Sequence, residues 1–147
     1  HRDLHSFPTR RSSDLLLDRG VNPSQIVIGS NFSGRAWQGV PPDNNGLYQL
    51  NRGRARLRAS YSAVRENMED KNGFIRYWDP VAKAPYLYNA KDSLFITYDD
   101  TMSVRLKTKY VADLGLGGIM FWQLGADLPE DGLLDAIYKE KMKNKKE

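Results

Sequence analysis

Beyond residue 15 the apolar positions fall into short blocks whose spacing alternates between strand and helix. The segment LLDRG over residues 16–20 reads as the end of a helix stopped at Gly20, and Asn22-Pro23 leads away from it. QIVIGS over residues 25–30 is apolar, β-branched and unbroken by charge, which predicts a parallel strand covered on both faces. A polar loop over residues 31–46 follows, carrying Gly34, Gly39, Pro41, Pro42 and Gly46, and a loop after such a strand is where sites tend to lie. A helix is expected around residues 59–68. Three β-rich, aromatic runs over 73–78, 85–89 and 94–98 come next, with Asp79-Pro80 and Lys91-Asp92 in the turns, and they predict a small antiparallel sheet. Asp100 reads as the N-cap of a helix over 101–114, whose Val104, Leu106, Tyr110, Val111 and Leu114 form an apolar stripe on which Lys107 intrudes. Gly115 and Gly117 close that helix, GGIMFWQLG over 117–125 is a second buried strand, and a helix over 133–142 follows.

The order is therefore strand, long insertion with a small sheet, helix, strand, helix. Helices between buried strands predict an α/β fold, and a parallel pair needs the helical crossover. No internal repeat is present, and no stretch approaches the roughly 20 apolar residues that span a bilayer.

The first fifteen residues change the composition argument. They have neither a hydrophobic period nor the apolar core of a signal peptide. A common short-read sequencing adapter translates in one frame as HRDLHSFPTRRSSDL, which is residue for residue His1 to Leu15. We expect residues 1–15 to be a translated adapter artefact and exclude them from fold reasoning. The chain has 147 residues, a net charge of +4, no Cys and two His, and both histidines, His1 and His5, fall in that stretch. Removing Arg2, Arg10, Arg11, Asp3 and Asp14 leaves a charge of +3, much of it in the tail KEKMKNKKE, which reads as a solvated helix end and not as a nucleic-acid footprint. Without His or Cys, residues 16–147 cannot supply a Ser-His-Asp triad, a thiol nucleophile or a common zinc site.

Three segments in order resemble family 18 glycoside hydrolases of the chitinase type. IVIGSNFSGRAWQGV over 26–40 is similar to the family's seventh strand and its F-Y-G-R-x-W loop. LFITYDDTMSVRLKTKYV over 94–111 is similar to the Y-D-D, S-V and K spacing that ends the family's inserted subdomain, and LGLGGIMFWQLGAD over 114–127 to the eighth strand with its G-G-x-M-x-W core. GLYQ over 46–49 and WDPVAKAPYLYN over 78–89 resemble the body of the insertion. Ser33 stands where the family has an aromatic, Asn31 where it usually has Pro, and Gln123 where an acid is frequent, which bears on substrate preference.

The resemblance implies the C-terminal part of a (β/α)₈ barrel, its last two strands, with an inserted small α+β subdomain. Residues 16–40 would be the region of strand seven, 41–99 the insertion, and 100–147 a barrel helix, strand eight and the final helix. It also implies hydrolysis of β-1,4-linked N-acetylglucosamine polymers by substrate assistance, an exception to the two-carboxylate scheme. Both catalytic acids, a Glu and an Asp, would lie on the fourth strand, upstream of this chain, so no catalytic residue is expected within it. Trp122, near the C-terminal end of a barrel-type strand, would form the floor under the reacting sugar. Arg35 would hydrogen-bond the sugar near the cleavage point, a task suited to its planar fork. Trp37 would line the cleft or pin its loop.

Other carboxylates read structurally. Asp99 and Asp100 make a tempting pair, but Asp100 caps a helix and Asp99 ends the insertion. Asp131, Asp135 and Glu140 imitate the family's D-x-x-D-x-D-x-E signature, and Ile137 breaks it. No metal or organic cofactor is expected. The expected partner is chitin or its oligosaccharides, with neither nucleic acid nor membrane, the protein a monomer, and its location extracellular, because the polymer is too large to enter a cell. The competing readings are a chitin-binding lectin of the same fold, an endoglycosidase acting on N-linked glycans or peptidoglycan, and an unrelated α/β domain.

Overall fold

A computed structural model of the chain describes residues 8–143 and 145. His1, His5 and part of the basic tail lie outside them. The chain runs through α1 (Pro8–Asp18), β1 (Val27–Asn31), β2 (Arg35–Gln38), α2 (Tyr61–Asn67), β3 (Ile75–Asp79), β4 (Ala84–Asn89), β5 (Leu94–Thr97), α3 (Thr101–Asp113), β6 (Gly118–Trp122) and α4 (Leu133–Lys143). β1 and β6 pair in parallel, from Val27 opposite Gly118 to Asn31 opposite Trp122. The other four strands form an antiparallel sheet in the order β2-β5-β4-β3. The fold is mixed α/β with the expected parallel pair, and among the described residues no barrel closes.

Two expectations are corrected. The segment expected as a loop over 31–46 contains β2, which lies within residues 16–40 yet joins the sheet of the insertion by pairing with β5, Arg35 opposite Thr97 and Gln38 opposite Leu94. A four-residue strand between Gly34 and Gly39 has too little local pattern to announce itself; its partner decides it. The strand over 25–30 was expected to be covered on both faces. Instead its residues alternate between exposed and buried. Ile28 and Ser30 face inward, whereas Val27 and, across the pair, Met120 and Trp122 stand on an open face.

α3 joins the two sheets. Its start is fixed by a reciprocal cap in which the Ser103 amide donates to Asp100 Oδ1 and the Asp100 amide to Ser103 Oγ, each at 2.9 Å. Val104 on α3 enters one core with Phe32 from the turn after β1, Leu87 and Ile96 from the antiparallel sheet, Val64 from α2 and Leu133 from α4. The insertion and the parallel pair therefore share apolar contacts and do not stand as separate lobes. A second cluster of Ile26, Ile28, Tyr110 and Leu116 holds β1 against the other end of α3. At the entry to β6, Gly117 donates to the Ile26 carbonyl at 2.8 Å, and a Cβ there would run into the Ser24 carbonyl. Asp127 accepts the Leu133 and Leu134 amides at 2.8 and 2.9 Å and so caps α4.

Candidate functional site

In-register parallel pairing places side chains of opposite residues on the same face. Trp122 at the end of β6 and Asn31 at the end of β1 thus share the open face, and Trp122 is 72% exposed. The peptide bond between Trp122 and Gln123 is cis. Phe121 points the other way and stacks on Phe32, ring centroids 4.9 Å apart. Asn31 Oδ1 accepts the Ser33 amide at 3.1 Å, a local turn that redirects the chain from β1 into β2.

Asn31, Ser33, Arg35, Thr97, Asp99 and Lys107 line a cavity of about 610 Å³ beside that turn. The volume falls within the range of small-molecule sites. Arg35 and Trp37 lie two residues apart on β2, on one face of the antiparallel sheet, opposite Thr97 and Phe95 respectively. Trp37 follows Arg35 along β2 and Asn31 lines the Arg35 cavity, whereas Trp122 stands opposite Asn31 and is not among the residues lining the cavities at Arg35 and Trp37. Trp37 also carries a structural load, because the Arg54 guanidinium lies 5.9 Å from its ring centroid and pairs the loop to β2.

The cavity wall contains a pair that the sequence reading passed over. Asp99 is buried and accepts from Ser30 Oγ at 3.2 Å, Ser103 Oγ at 2.8 Å and Lys107 Nζ at 2.6 Å. Lys107 had one visible signal, a charge on the apolar stripe of α3, and the structure explains it: its ammonium meets the carboxylate. The Ser30 bond ties this pair to the residue preceding Asn31, so the pair holds the end of β1 where Asn31 and Trp122 are displayed.

Behind the cavity, the Tyr98 hydroxyl donates to Glu69 Oε1 at 2.7 Å, while Arg76 bridges to Asp100. Burial, the bond to Glu69 and the charge of Glu69 push the Tyr98 phenol far above its ordinary range. Burial likewise raises Tyr61 to about 12, partly opposed by Arg65. These groups lock α2 and β3 to the start of α3, and Tyr98 also lines the cavity of Arg35. Among the described residues no group of three or more His, Cys, Asp or Glu side chains is placed to hold a metal ion, and no helix is long and apolar enough to cross a membrane.

Comparison with known proteins shows what the chain is similar to. The model of the family described as "Glycosyl hydrolases family 18" matches residues 3–127. The chain is 40% identical over 131 residues to Chitinase A1 of Niallia circulans, covering 85% of this chain and 19% of that protein. It is 35% identical over 144 residues to Chitinase B of Serratia marcescens, covering 83% of this chain and 29% of that one. Among solved structures, a family 18 N-acetylglucosaminidase from Paenibacillus barengoltzii matches at 43% identity and a TM-score of 0.81, over 89% of this chain and 38% of the other. Chitinase ChiA74 from Bacillus thuringiensis matches at 31% identity and a TM-score of 0.81, over 97% of this chain and 28% of the other. The chain thus spans between a fifth and three-tenths of the length of these two curated relatives.

Proposed function

The chain belongs to glycosyl hydrolases family 18, and from that membership we propose that it is the C-terminal portion of a secreted chitinase, the last two strands of a (β/α)₈ barrel with an inserted subdomain. The protein cleaves β-1,4-linked N-acetylglucosamine polymers. The observation that carries the reading is the exposed Trp122 ring at the C-terminal end of β6, displayed beside Asn31, which also lines the Arg35 cavity. Active sites of (β/α)₈ enzymes lie at that end of the strands.

The chemistry follows from what a pyranose offers. Its apolar face stacks on an indole, and the exposed side of Trp122 supplies that floor. Its hydroxyls and N-acetyl group need donors, and the Arg35 guanidinium supplies a fixed fork of them beside the Asn31 amide. Cleavage proceeds by substrate assistance: a Glu upstream protonates the leaving oxygen while the sugar's own N-acetyl carbonyl attacks the anomeric carbon, steered by an upstream Asp. Water then opens the resulting oxazolinium ring, and the anomeric configuration is retained. This chain's residues bind and orient the sugar and contribute no proton-transfer group, so residues 16–147 alone do not cleave chitin. Residues 1–15 belong to the proposal as translated adapter, and the bond of 2.6 Å between the Ser13 and Tyr110 hydroxyls plays no part in the site. Reading the source DNA across the junction before Leu16 tests that point.

The decisive experiment expresses the full-length protein and follows cleavage of an N-acetylglucosamine tetramer by NMR of the nascent products. Retained configuration is expected, and Trp122→Ala should lower kcat/KM by about tenfold or more, equivalent to roughly 1.4 kcal/mol of transition-state binding. Binding without cleavage would make the protein a lectin of this fold. Inverted product would refute substrate assistance, and neither binding nor cleavage would refute the substrate class.

A further inference from the structure

β2 stands at the end of the antiparallel sheet and is bonded to β5 along one edge. Along its other edge runs the segment 52–59. The Arg52 amide donates to the Gln38 carbonyl at 2.8 Å, the Ala55 amide to the Ala36 carbonyl at 2.9 Å, and the Gly34 amide to the Ala59 carbonyl at 2.6 Å. Between the last two of these bonds, residues 56–58 stand against Arg35 alone, so three residues oppose one and the chain bulges away from the sheet. Arginine occupies every second position of this segment, and Arg52, Arg54, Arg56 and Arg58 are all exposed. No acidic residue occurs from 44 to 65, and among the described residues no carboxylate forms an ion pair with any of the four.

Charge on a sheet edge deters pairing with other edges, a task that either sign performs. A row of one sign goes beyond that task, because its members repel one another and nothing on the protein offsets them. The relief has to come from a partner with recurring negative charge. Arginine is suited to carboxylates in particular, which its planar fork meets at two points. Exposed amides continue the row, Gln38 at the end of β2 and Asn51 before Arg52, where Asn51 Oδ1 accepts the Gly53 amide at 2.9 Å. Guanidinium groups and amides in a line match a linear polymer that carries both carboxylates and hydroxyls. A single-stranded nucleic acid fits less well, since no aromatic residue lies from 49 to 60 on which a base could stack. We propose that the edge over 52–58 is a docking surface for an acidic polysaccharide, a polyuronate whose carboxylates meet the arginine row. The surface is separate from the sugar-binding residues: none of the four arginines lines the cavities at Arg35 and Trp37, and only Arg54 touches the Trp37 ring. It retains the protein on a charged matrix and takes no part in cleaving the neutral polymer.

Calorimetry of the full-length protein with polygalacturonate tests the proposal directly. Binding is expected, and it should weaken steadily as salt rises, because each contact releases counter-ions. Arg56→Glu with Arg58→Glu lies in the bulge and should lower the affinity by about tenfold, the scale of two exposed ion pairs turned into repulsions. Cleavage of the N-acetylglucosamine tetramer should be unchanged in that variant. Arg56→Gln with Arg58→Gln removes the charges without adding repulsion and should lower the affinity by about threefold, which decides the matter even if the Glu variant fails to fold. No binding by the wild type overturns the docking surface, as does an affinity that neither double variant changes. Equal or tighter binding of single-stranded DNA or of anionic phospholipid vesicles at the same salt overturns the choice of an acidic polysaccharide.

Discussion

Replacing Lys107 by Met in the full-length protein removes the ammonium and keeps a stem of similar length. The Asp99 and Lys107 side chains are 9% and 17% exposed. That places the pair between the surface regime, where an ion pair contributes at most about 1 kcal/mol, and full burial, where removing one partner costs about 3–5 kcal/mol. After the change Asp99 keeps two hydroxyl donors, Ser30 at 3.2 Å and Ser103 at 2.8 Å, so the carboxylate is under-satisfied and not orphaned. A loss of about 2–3 kcal/mol is expected, close to one charge-assisted hydrogen bond left unmade. Urea unfolding should show it as a lower midpoint at unchanged slope. Asp99→Asn with Lys107→Met should cost less than the two single changes added together, with a coupling of about 1–2 kcal/mol. Additive costs, or a loss under about 0.5 kcal/mol for Lys107→Met, would refute the assignment of this pair as the anchor of β1.

Gly117→Ala would drive a methyl into the Ser24 carbonyl, a backbone atom that cannot rotate away, and should cost about 2 kcal/mol or more in the same urea assay. Alkaline titration should reveal the buried phenols. Tyr61 and Tyr98 stay protonated in the folded protein above pH 10.0, where the unfolded chain releases those protons, so their stabilisation is complete below pH 10.0 and declines as pH rises, for Tyr61 until about 12. Tyr61→Phe, which cannot ionise, should therefore flatten the fall in unfolding midpoint between pH 10 and 12; an unchanged slope would contradict the assignment.

Apolar period and turn chemistry made most of the elements readable in advance. β1, β6 and the helix between them are announced by β-branched runs and by the Asp100 cap, and β3 to β5 by aromatics between turn residues. β2 escaped because RAWQ has no period of its own, and only pairing with a segment some 60 residues later makes it a strand. Trp122, Arg35 and Trp37 stood out as candidates because Trp and Arg beside strand ends are chemically conspicuous. The pair of Asp99 and Lys107 left one trace, a charge on the apolar stripe of α3.

The pairing of β2 with β5 also bears on how the chain finds its shape. β1 and β6 are separated by most of the molecule, and joining them first would close a loop of nearly 90 residues. The meander of β3, β4 and β5 makes only short-range contacts and can form early, and once β2 docks on β5 the intervening stretch is bypassed. The path left to close is a few tens of residues, which lowers the entropic cost by about 1 kcal/mol. The insertion thus acts as a clip during folding, drawing together two strands that would otherwise meet last and most slowly.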